Sequence, residues 1–107
     1  MVAAAHPLAA SVGAGVLRNG GNAFDAAVAT AAALNVVEPF MSGLAGLGMA
    51  CVWSAVDRRV KALDFITPIP GNFQADQLQR EDIFRGPCAS APPGNLAGWV
   101  KLLDDYG

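Results

Sequence analysis

The stretch Asn22–Gly48 constrains the fold more than any other part of the chain, because it joins a long uncharged segment to a glycine-rich turn. Asn22 is a good helix N-cap, and Asp25 can complete a capping box while its charge suits the positive helix N-terminus. The residues that follow carry no charge and are apolar on several faces, so the sequence predicts a helix over 22–37 that is buried on every side. Pro39 ends this helix, because proline removes a backbone donor.

The segment Ser42–Gly48, SGLAGLG, lets the backbone approach another group more closely than a residue with a Cβ would allow. Two interpretations are open. The glycines can serve tight packing at a corner between a helix and a strand, or they can make room for a ligand. Packing is the commoner reason for such a turn, and the sequence alone does not decide between the two.

The remaining elements give an α/β (α+β) pattern, in which helices pack on a small, mainly antiparallel sheet. Helices are predicted at 7–19 and 95–106, and strands at 49–54 and 60–65 form a predicted hairpin. Local patterns also predict a short strand at 2–5, an exposed turn of helix within 72–85, a short strand at 88–91, an N-cap at Asn95 and a C-cap at Gly107.

Hydrophobic spacing predicts which faces of these elements are buried. Leu8, Val12 and Val16 repeat every four residues and form an apolar stripe on the first helix, while the last helix keeps helical spacing of its apolar residues. The nearly unbroken apolar run at 49–54 predicts a strand that is covered on both faces. Lys61 places the second strand nearer an edge of the sheet.

Length and composition exclude several classes of protein. A chain of 107 residues buries only about two-thirds of its unfolded surface, so a helix buried on every side predicts a single partial domain, 1–107, of something larger. A hydrophobic content of 53% argues against disorder, and a net charge of −2 offers no basic field for nucleic acid. No uncharged run reaches the roughly 20 apolar residues of a membrane helix.

Few side chains in the sequence are suited to catalysis. It contains no HExxH, P-loop or complete GxGxxG motif. His6 stands alone before a helix, where a cap or a packing residue is commoner than a catalytic base. Cys51 and Cys88 fit neither a zinc site nor a CxxC motif, and the sequence predicts two buried thiols.

Seven segments carry a resemblance to a known family, with their order and spacing preserved over nearly the whole chain. They are Met1–Ala9 (MVAAAHPLA), Val16–Ala29 (VLRNGGNAFDAAVA), Val36–Pro39 with Ser42–Gly43, Ala62–Phe65 (ALDF), and Pro93–Trp99 (PGNLAGW) with Tyr106–Gly107. Together they resemble the N-terminal part of the large subunit of gamma-glutamyltranspeptidases.

The resemblance implies an N-terminal-nucleophile hydrolase with an αββα sandwich, made as a precursor that cuts itself. In this family the new N-terminal threonine of the small subunit attacks a gamma-glutamyl amide such as that of glutathione. That threonine would lie well beyond Gly107. The resemblance therefore implies that this chain has no catalytic residue, metal or cofactor. Its implied partners are the rest of the large subunit, the small subunit and a small-molecule amide substrate, with no nucleic acid and no membrane.

The resemblance also locates one substrate contact. The family carries an arginine directly after the Leu-Asp-Phe strand, where its guanidinium pairs with the alpha-carboxylate of the glutamyl group. Here Leu63–Phe65 is followed by Ile66, which has no charge. Arg58 and Arg59 lie at the other end of the predicted hairpin. Three possibilities follow: an acylase-like relative with another substrate, a member that takes its cation from elsewhere, or an inactive remnant.

A second class of function and the compartment stay open. The chain can instead be a non-catalytic interaction or scaffold fragment that binds through exposed faces of its alanine-rich helix and sheet. Residues 1–5 lack the basic flank and apolar region of a signal peptide. The sequence is therefore compatible with a cytoplasmic protein, or with a periplasmic one whose leader is missing.

Overall fold

The structure is a computed structural model that describes residues 1–90 and 92–107. Its main elements are α1 (Pro7–Arg18), α2 (Ala23–Val37), β1 (Met49–Ser54), β2 (Arg59–Asp64) and α3 (Asn95–Tyr106). Short 3-10 turns at Ala75–Gln77, Arg80–Ile83 and Pro87–Ala89 fill the segment before α3. The predicted α/β fold is confirmed, and each main element begins and ends within one residue of its prediction.

The first two helices begin where the sequence predicts. Pro7 opens α1, and His6 is its N-cap, with the imidazole Nδ1 accepting from the Leu8 N–H at 3.2 Å. Asn22 and Asp25 form the predicted capping box of α2: the Asn22 Oδ1 accepts from the Asp25 N–H, and the Asp25 Oδ2 accepts from the Asn22 N–H. These local signals are the ones that predicted both helix starts.

α1 and α2 pack through small residues. Ala9 and Gly13 are the buried positions of α1, and they face Ala26 and Thr30 of α2. A Cβ at Gly13 would collide with the Thr30 hydroxyl, so only glycine permits this approach of the two helices. The predicted stripe on α1 is wrong about the buried face, because Leu8 there is exposed.

α2 is not enclosed by this chain. Ala26 and Thr30 are its only buried residues, whereas Ala27, Ala32 and Val36 are exposed. The prediction of a helix buried on every side concerns a larger protein and is not tested by the described residues, among which α1 and α3 pack against α2.

β1 and β2 form a two-stranded antiparallel sheet, with Met49 opposite Asp64 and Ser54 opposite Arg59. One face lies toward α3, where the Lys61 ammonium lies 5.2 Å from the centre of the Tyr106 ring. The opposite face is uncovered, and Trp53 on it is 58% exposed. The prediction that β1 is covered on both faces is wrong, because the described residues supply a layer for one face only.

α3 buries Asn95, Gly98, Trp99 and Leu102, so the exposed apolar residues of this helix lie on its other side. Asn95 is not the N-cap: Gly94 takes that position and makes no side-chain cap. Gly107 is the C-cap, as predicted, and its N–H donates to the Leu103 carbonyl at 2.8 Å.

Three local predictions fail. Residues 2–5 form no strand, because they have no strand beside them to pair with. The strand predicted at 88–91 is a 3-10 turn at Pro87–Ala89, and its last residue lies outside the described part of the chain. Cys51 and Cys88 are exposed rather than buried. The exposed helical turns predicted within 72–85 are present as 3-10 turns.

The chain is extended for its length. Its radius of gyration is 16.5 Å, against about 13 Å for a compact domain of 100 residues. Only Ala9, Ala26, Trp99 and Leu102 form the buried apolar core of the described residues. Such a thin core leaves large apolar surface on the sheet and helices. Across residues 1–90 and 92–107, no helix has both the length and the apolar character needed to cross a membrane.

Candidate functional site

Ile66 lies directly after β2, at the position where the resemblance predicts a carboxylate-binding arginine. Its backbone N–H donates to the Asp64 Oδ1 at 2.9 Å, and its side chain is 45% exposed. The side chain lines a cavity of about 230 Å³ between the end of β2 and the start of α3. None of the described residues that line this cavity carries a charge.

Phe65 holds the residue before Ile66 in place. Its N–H donates to the Gly48 carbonyl at 3.1 Å, which continues the pairing of β1 and β2 by one step. Its ring packs against Gly98 of α3, where any side chain would overlap the ring. The backbone that presents Ile66 is therefore fixed by the sheet on one side and by a helix on the other.

The glycine-rich turn is a packing element. The Gly46 carbonyl accepts from the Gly94 and Asn95 N–H groups at 2.8 and 2.9 Å, and the Asn95 Nδ2 donates to the Gly43 carbonyl at 2.7 Å. A Cβ at Gly46 would lie 2.7 Å from the Asn95 Nδ2, and a Cβ at Gly48 would lie 2.7 Å from the Phe65 ring. Of the two interpretations of this turn, tight packing between strand and helix is the one the structure supports.

Thr67 fixes the chain on the other side of Ile66. Its Oγ1 donates to the Pro92 carbonyl at 2.6 Å, which ties the segment after β2 to the segment before α3. Thr67, Pro68 and Pro92 line both the cavity at Ile66 and a second, mainly apolar cavity of about 260 Å³. The two cavities therefore share a wall.

Neither arginine of the hairpin turn reaches Ile66. Arg59 pairs with Ser54 at one end of the sheet, whereas Ile66 lies beyond the pair of Met49 and Asp64 at the other end. Seven residues of extended chain at about 3.3 Å each separate Arg59 from Ile66 by roughly 20 Å. Arg58 adopts a positive φ of 50° in the turn itself. The arginines of the turn therefore lie too far from Ile66 to place a charge beside it.

The hairpin turn contains a charged cluster of its own. Lys61 forms an ion pair with Asp57, whose carboxylate also accepts from the Ser54 hydroxyl at 2.8 Å. The hydrogen bond from Lys61 lowers the pKa of Asp57, and Ser54 lowers it further. The same hydrogen bond raises the pKa of Lys61, with a second contribution from Tyr106. This cluster stabilises the turn, and its residues line neither cavity.

The other candidates for chemistry are structural. His6 caps α1, as the sequence predicts. In the part of the chain that the structure describes, no group of three or more His, Cys, Asp or Glu side chains is placed to hold a metal ion. The neutral cavity at Ile66 is therefore kept as the candidate site, because the resemblance predicts a substrate contact at this position.

Comparison with known proteins identifies the family. The family model described as gamma-glutamyltranspeptidase matches residues 9–107. The chain belongs to the gamma-glutamyltranspeptidase family. Aligned over its whole length, it is 40% identical to the glutathione hydrolase proenzyme of Bacillus subtilis strain 168 and 39% identical to the acylase ACY 1 proenzyme of Pseudomonas sp. strain V22.

The fold agrees with solved members of the gamma-glutamyltranspeptidase family. The whole chain superimposes on Helicobacter pylori gamma-glutamyltranspeptidase with a TM-score of 0.91 and 34% sequence identity, and it covers 32% of that chain. It is thus a part of an N-terminal-nucleophile hydrolase fold. The chain spans about a fifth of the length of the curated relatives it matches, 20% of the Bacillus protein and 21% of the Pseudomonas acylase.

The resemblance singled out Ile66, but the sequence did not predict which residues surround it. The bond between Thr67 and Pro92 joins residues 25 positions apart, and no local pattern signals it. The prolines on both sides of the contact were visible as breaks in regular structure. They indicated an irregular segment, but not that its two ends meet.

Proposed function

We propose that this chain is part of an amide hydrolase or acyltransferase of the gamma-glutamyltranspeptidase type, which acts on gamma-glutamyl or related acyl amides. Relatives named glutathione hydrolase and acylase support the reaction class. The substrate would be a small molecule of the glutathione type or an amide with another acyl group. The rest of the large subunit and a small subunit would complete the enzyme.

The nucleophile would come from outside this chain. In the family it is an N-terminal threonine, whose own amine or a water takes the proton as the hydroxyl attacks the amide carbon. This chain would then contribute binding surface and support, with no catalytic residue, metal or cofactor of its own. By itself it would be catalytically silent.

Ile66 is the observation that carries a proposal about the acyl group. The chain is as similar to an acylase as to a glutathione hydrolase, so overall identity does not distinguish the two substrates. Ile66 supports the acyl group without the alpha-carboxylate, because it lines a cavity with no charged residue among those described. An acyl group without the alpha-carboxylate would suit this cavity better than a gamma-glutamyl group.

The size of the expected preference for a plain acyl group follows from the free-energy cost of an unpaired carboxylate. Leaving a carboxylate without its charge-assisted hydrogen bonds costs on the order of 3 kcal/mol, which is roughly a hundredfold in specificity. A plain acyl chain has no charge to pair, so it loses no binding energy when isoleucine stands in place of arginine. The enzyme would therefore favour the plain acyl group by a factor of that order, relative to a member that has the arginine.

The test compares p-nitroanilides of the gamma-glutamyl, glutaryl and butanoyl groups in the full-length parent polypeptide. Glutaryl lacks the amine of the gamma-glutamyl group, and butanoyl lacks both amine and carboxylate. We expect kcat/KM to be highest for butanoyl, and Ile66→Arg to shift the ratio toward gamma-glutamyl by roughly a hundredfold. Ile66→Leu is the matched control, since it changes shape without adding charge.

Two results would contradict this proposal. A wild-type enzyme that strongly prefers gamma-glutamyl donors, and gains nothing from Ile66→Arg, takes its cation from elsewhere in the protein. A processed parent that turns over none of the three anilides would instead favour the scaffold alternative. For that alternative, the uncovered sheet face around Trp53 is the exposed surface available for binding.

A further inference from the structure

The cavity at Ile66 has two walls that come from different parts of the chain. One wall is 65–68, directly after β2, and the other is 92–94 together with Ala97 of α3. The two walls meet at Gly94, where a Cβ would overlap the Phe65 carbonyl oxygen. Away from Gly94, the spacing of the walls depends on what else joins them.

Prolines limit the hydrogen bonds that can join the two walls. Pro68, Pro92 and Pro93 have no backbone N–H, so none of them can donate across the cavity. Among the described residues, the bond of 2.6 Å from the Thr67 hydroxyl to the Pro92 carbonyl is the one hydrogen bond between 65–68 and 92–97. Apart from the contact at Gly94, the spacing of the walls therefore depends on one side chain.

This bond is placed to affect the cavity more than the stability of the fold. It is exposed, so water can satisfy both the hydroxyl and the carbonyl when the bond is absent. Thr67 directly follows Ile66, however, so a shift of its backbone moves the side chain that lines the cavity. The branched Cβ of threonine also restricts χ1, which keeps the hydroxyl directed at its partner.

We propose that Thr67 is a positioning residue for the acyl-binding site: its bond to the Pro92 carbonyl sets the spacing of the two walls and the position of Ile66 between them. This inference rests on the proposed function, because it needs an enzyme that binds an acyl group at Ile66. It adds the residue that gives the neutral cavity its shape. Thr67 acts through Pro92 and Ile66.

The first experiment measures KM and kcat for butanoyl p-nitroanilide in the full-length parent polypeptide. Thr67→Val keeps the branched shape and removes the hydroxyl. It should raise KM about fivefold, the factor that corresponds to one hydrogen bond of about 1 kcal/mol. The nucleophile is proposed to lie outside this chain, so kcat should change little. Thr67→Ser restores the hydroxyl and should return KM toward the wild-type value.

Ser42→Ala is the matched control. The Ser42 hydroxyl donates to the Asn35 Oδ1, and Ser42 does not line the cavity at Ile66. This variant therefore also removes one hydroxyl hydrogen bond, and it should leave KM unchanged. Circular dichroism and thermal unfolding of each variant report whether the fold and its stability are preserved.

The second experiment asks whether Thr67 acts through position 66. Ile66→Arg is expected to shift the kcat/KM ratio toward gamma-glutamyl by roughly a hundredfold. An arginine whose backbone is no longer held should recover less, so the shift should be roughly tenfold smaller in the Thr67→Val background. In the Ser42→Ala background the full shift should be kept, because Ser42 and position 66 share no hydrogen-bond partner.

The outcomes separate this inference from the proposed function. If the parent prefers butanoyl and responds to Ile66→Arg, but Thr67→Val changes neither KM nor that response, Thr67 has no positioning role while the proposed function stands. A strong preference for gamma-glutamyl donors that Ile66→Arg does not alter would overturn both, as would a processed parent that turns over none of the anilides.

Folding defects are also decisive. If Thr67→Val fails to fold, or loses kcat and thermal stability together, while Thr67→Ser behaves as wild type, the hydroxyl makes a structural bond and the positioning role is wrong. An equal rise of KM in Ser42→Ala would contradict it as well. A rise of KM confined to Thr67→Val, reversed in Thr67→Ser and coupled to position 66, supports the inference.

Discussion

The side-chain amide of Asn22 donates to the backbone carbonyl of Tyr106 at 2.6 Å, which joins the start of α2 to the end of α3. The oxygen of the same amide caps α2 by accepting from the Phe24 N–H at 2.8 Å. The rings of Phe24 and Tyr106 stack with their centres 4.7 Å apart. One asparagine therefore satisfies donors at one helix terminus and an acceptor at another.

Replacing Asn22 should separate these two roles. Asn22→Ala removes both the cap and the bond to Tyr106, and we expect the free energy of unfolding to fall by about 2 kcal/mol. Asn22→Ser keeps a capping oxygen but cannot reach Tyr106, so it should lose about 1 kcal/mol. Urea unfolding, monitored by circular dichroism, measures the loss of stability in each variant. If Asn22→Ser is as stable as wild type, the bond between α2 and α3 contributes nothing.

Gly98 should not tolerate a methyl group. A Cβ there would overlap the Phe65 ring close to its attachment point, where the ring cannot move without shifting the strand. We expect Gly98→Ala to destabilise the protein by about 1–3 kcal/mol.

Gly15→Ala is the matched control for Gly98→Ala. Gly15 lies within α1, and a Cβ there would meet only the end of the Arg18 side chain at 3.9 Å. Gly15→Ala should therefore raise the free energy of unfolding by about 0.4–1 kcal/mol. Thermal unfolding of the two variants tests the pair, and stabilisation by both would show that Phe65 and Gly98 are not in close contact.

Local sequence signals account for the correct part of the fold prediction. The capping box of Asn22 and Asp25 lies within four residues, so both partners of its hydrogen bonds can be recognised in one short stretch of sequence. Asn95 looked like a cap for the same local reason, yet its amide donates to the Gly43 carbonyl, 52 positions away. Nothing near Asn95 in the sequence signals that partner. Ile66 was singled out by the family resemblance and not by any local pattern, because it occupies the position of the family's arginine.

Burial was harder to predict than secondary structure, because the burial of a side chain depends on which other helix or sheet packs against it. Spacing favoured Leu8 as buried, but a close helix contact selects small residues, and Ala9 and Gly13 occupy it. Cys51 was predicted to be buried because it fits no zinc or CxxC pattern, although it lies on the uncovered face of the sheet. The composition of β1 predicts a second layer on that face, and the described residues do not supply one.

The ion pair of Asp57 and Lys61 should make the stability of the hairpin turn depend on pH. The pKa of Asp57 is lowered in the folded state, chiefly by the hydrogen bond from Lys61. A lowered folded pKa contributes stability above the unfolded value of about 4, and that stability is lost as pH falls through the folded pKa. An NMR titration of the Asp57 carboxylate should therefore give a midpoint below that of an unperturbed aspartate.

Two lysine variants test the cause of the lowered pKa. Lys61→Gln removes the partner of Asp57 and should raise the midpoint of the Asp57 titration toward its ordinary value. Lys101→Gln removes a different ion pair, with Asp105 in α3, and should leave the Asp57 midpoint unchanged. Equal effects of the two variants would mean that general charge, rather than the direct bond, lowers the pKa.

The last prediction concerns the 107-residue chain by itself, which we expect to show no turnover of gamma-glutamyl or acyl p-nitroanilides. The family's threonine nucleophile has no counterpart in it, and the Ile66 cavity supplies only neutral lining groups among those described. The assay compares purified chain with a heat-treated control and with the processed full-length parent. Turnover by the chain above the heat-treated control would show that a residue within 1–107 is the nucleophile, and the proposed division of labour between the chain and its remainder would then be wrong.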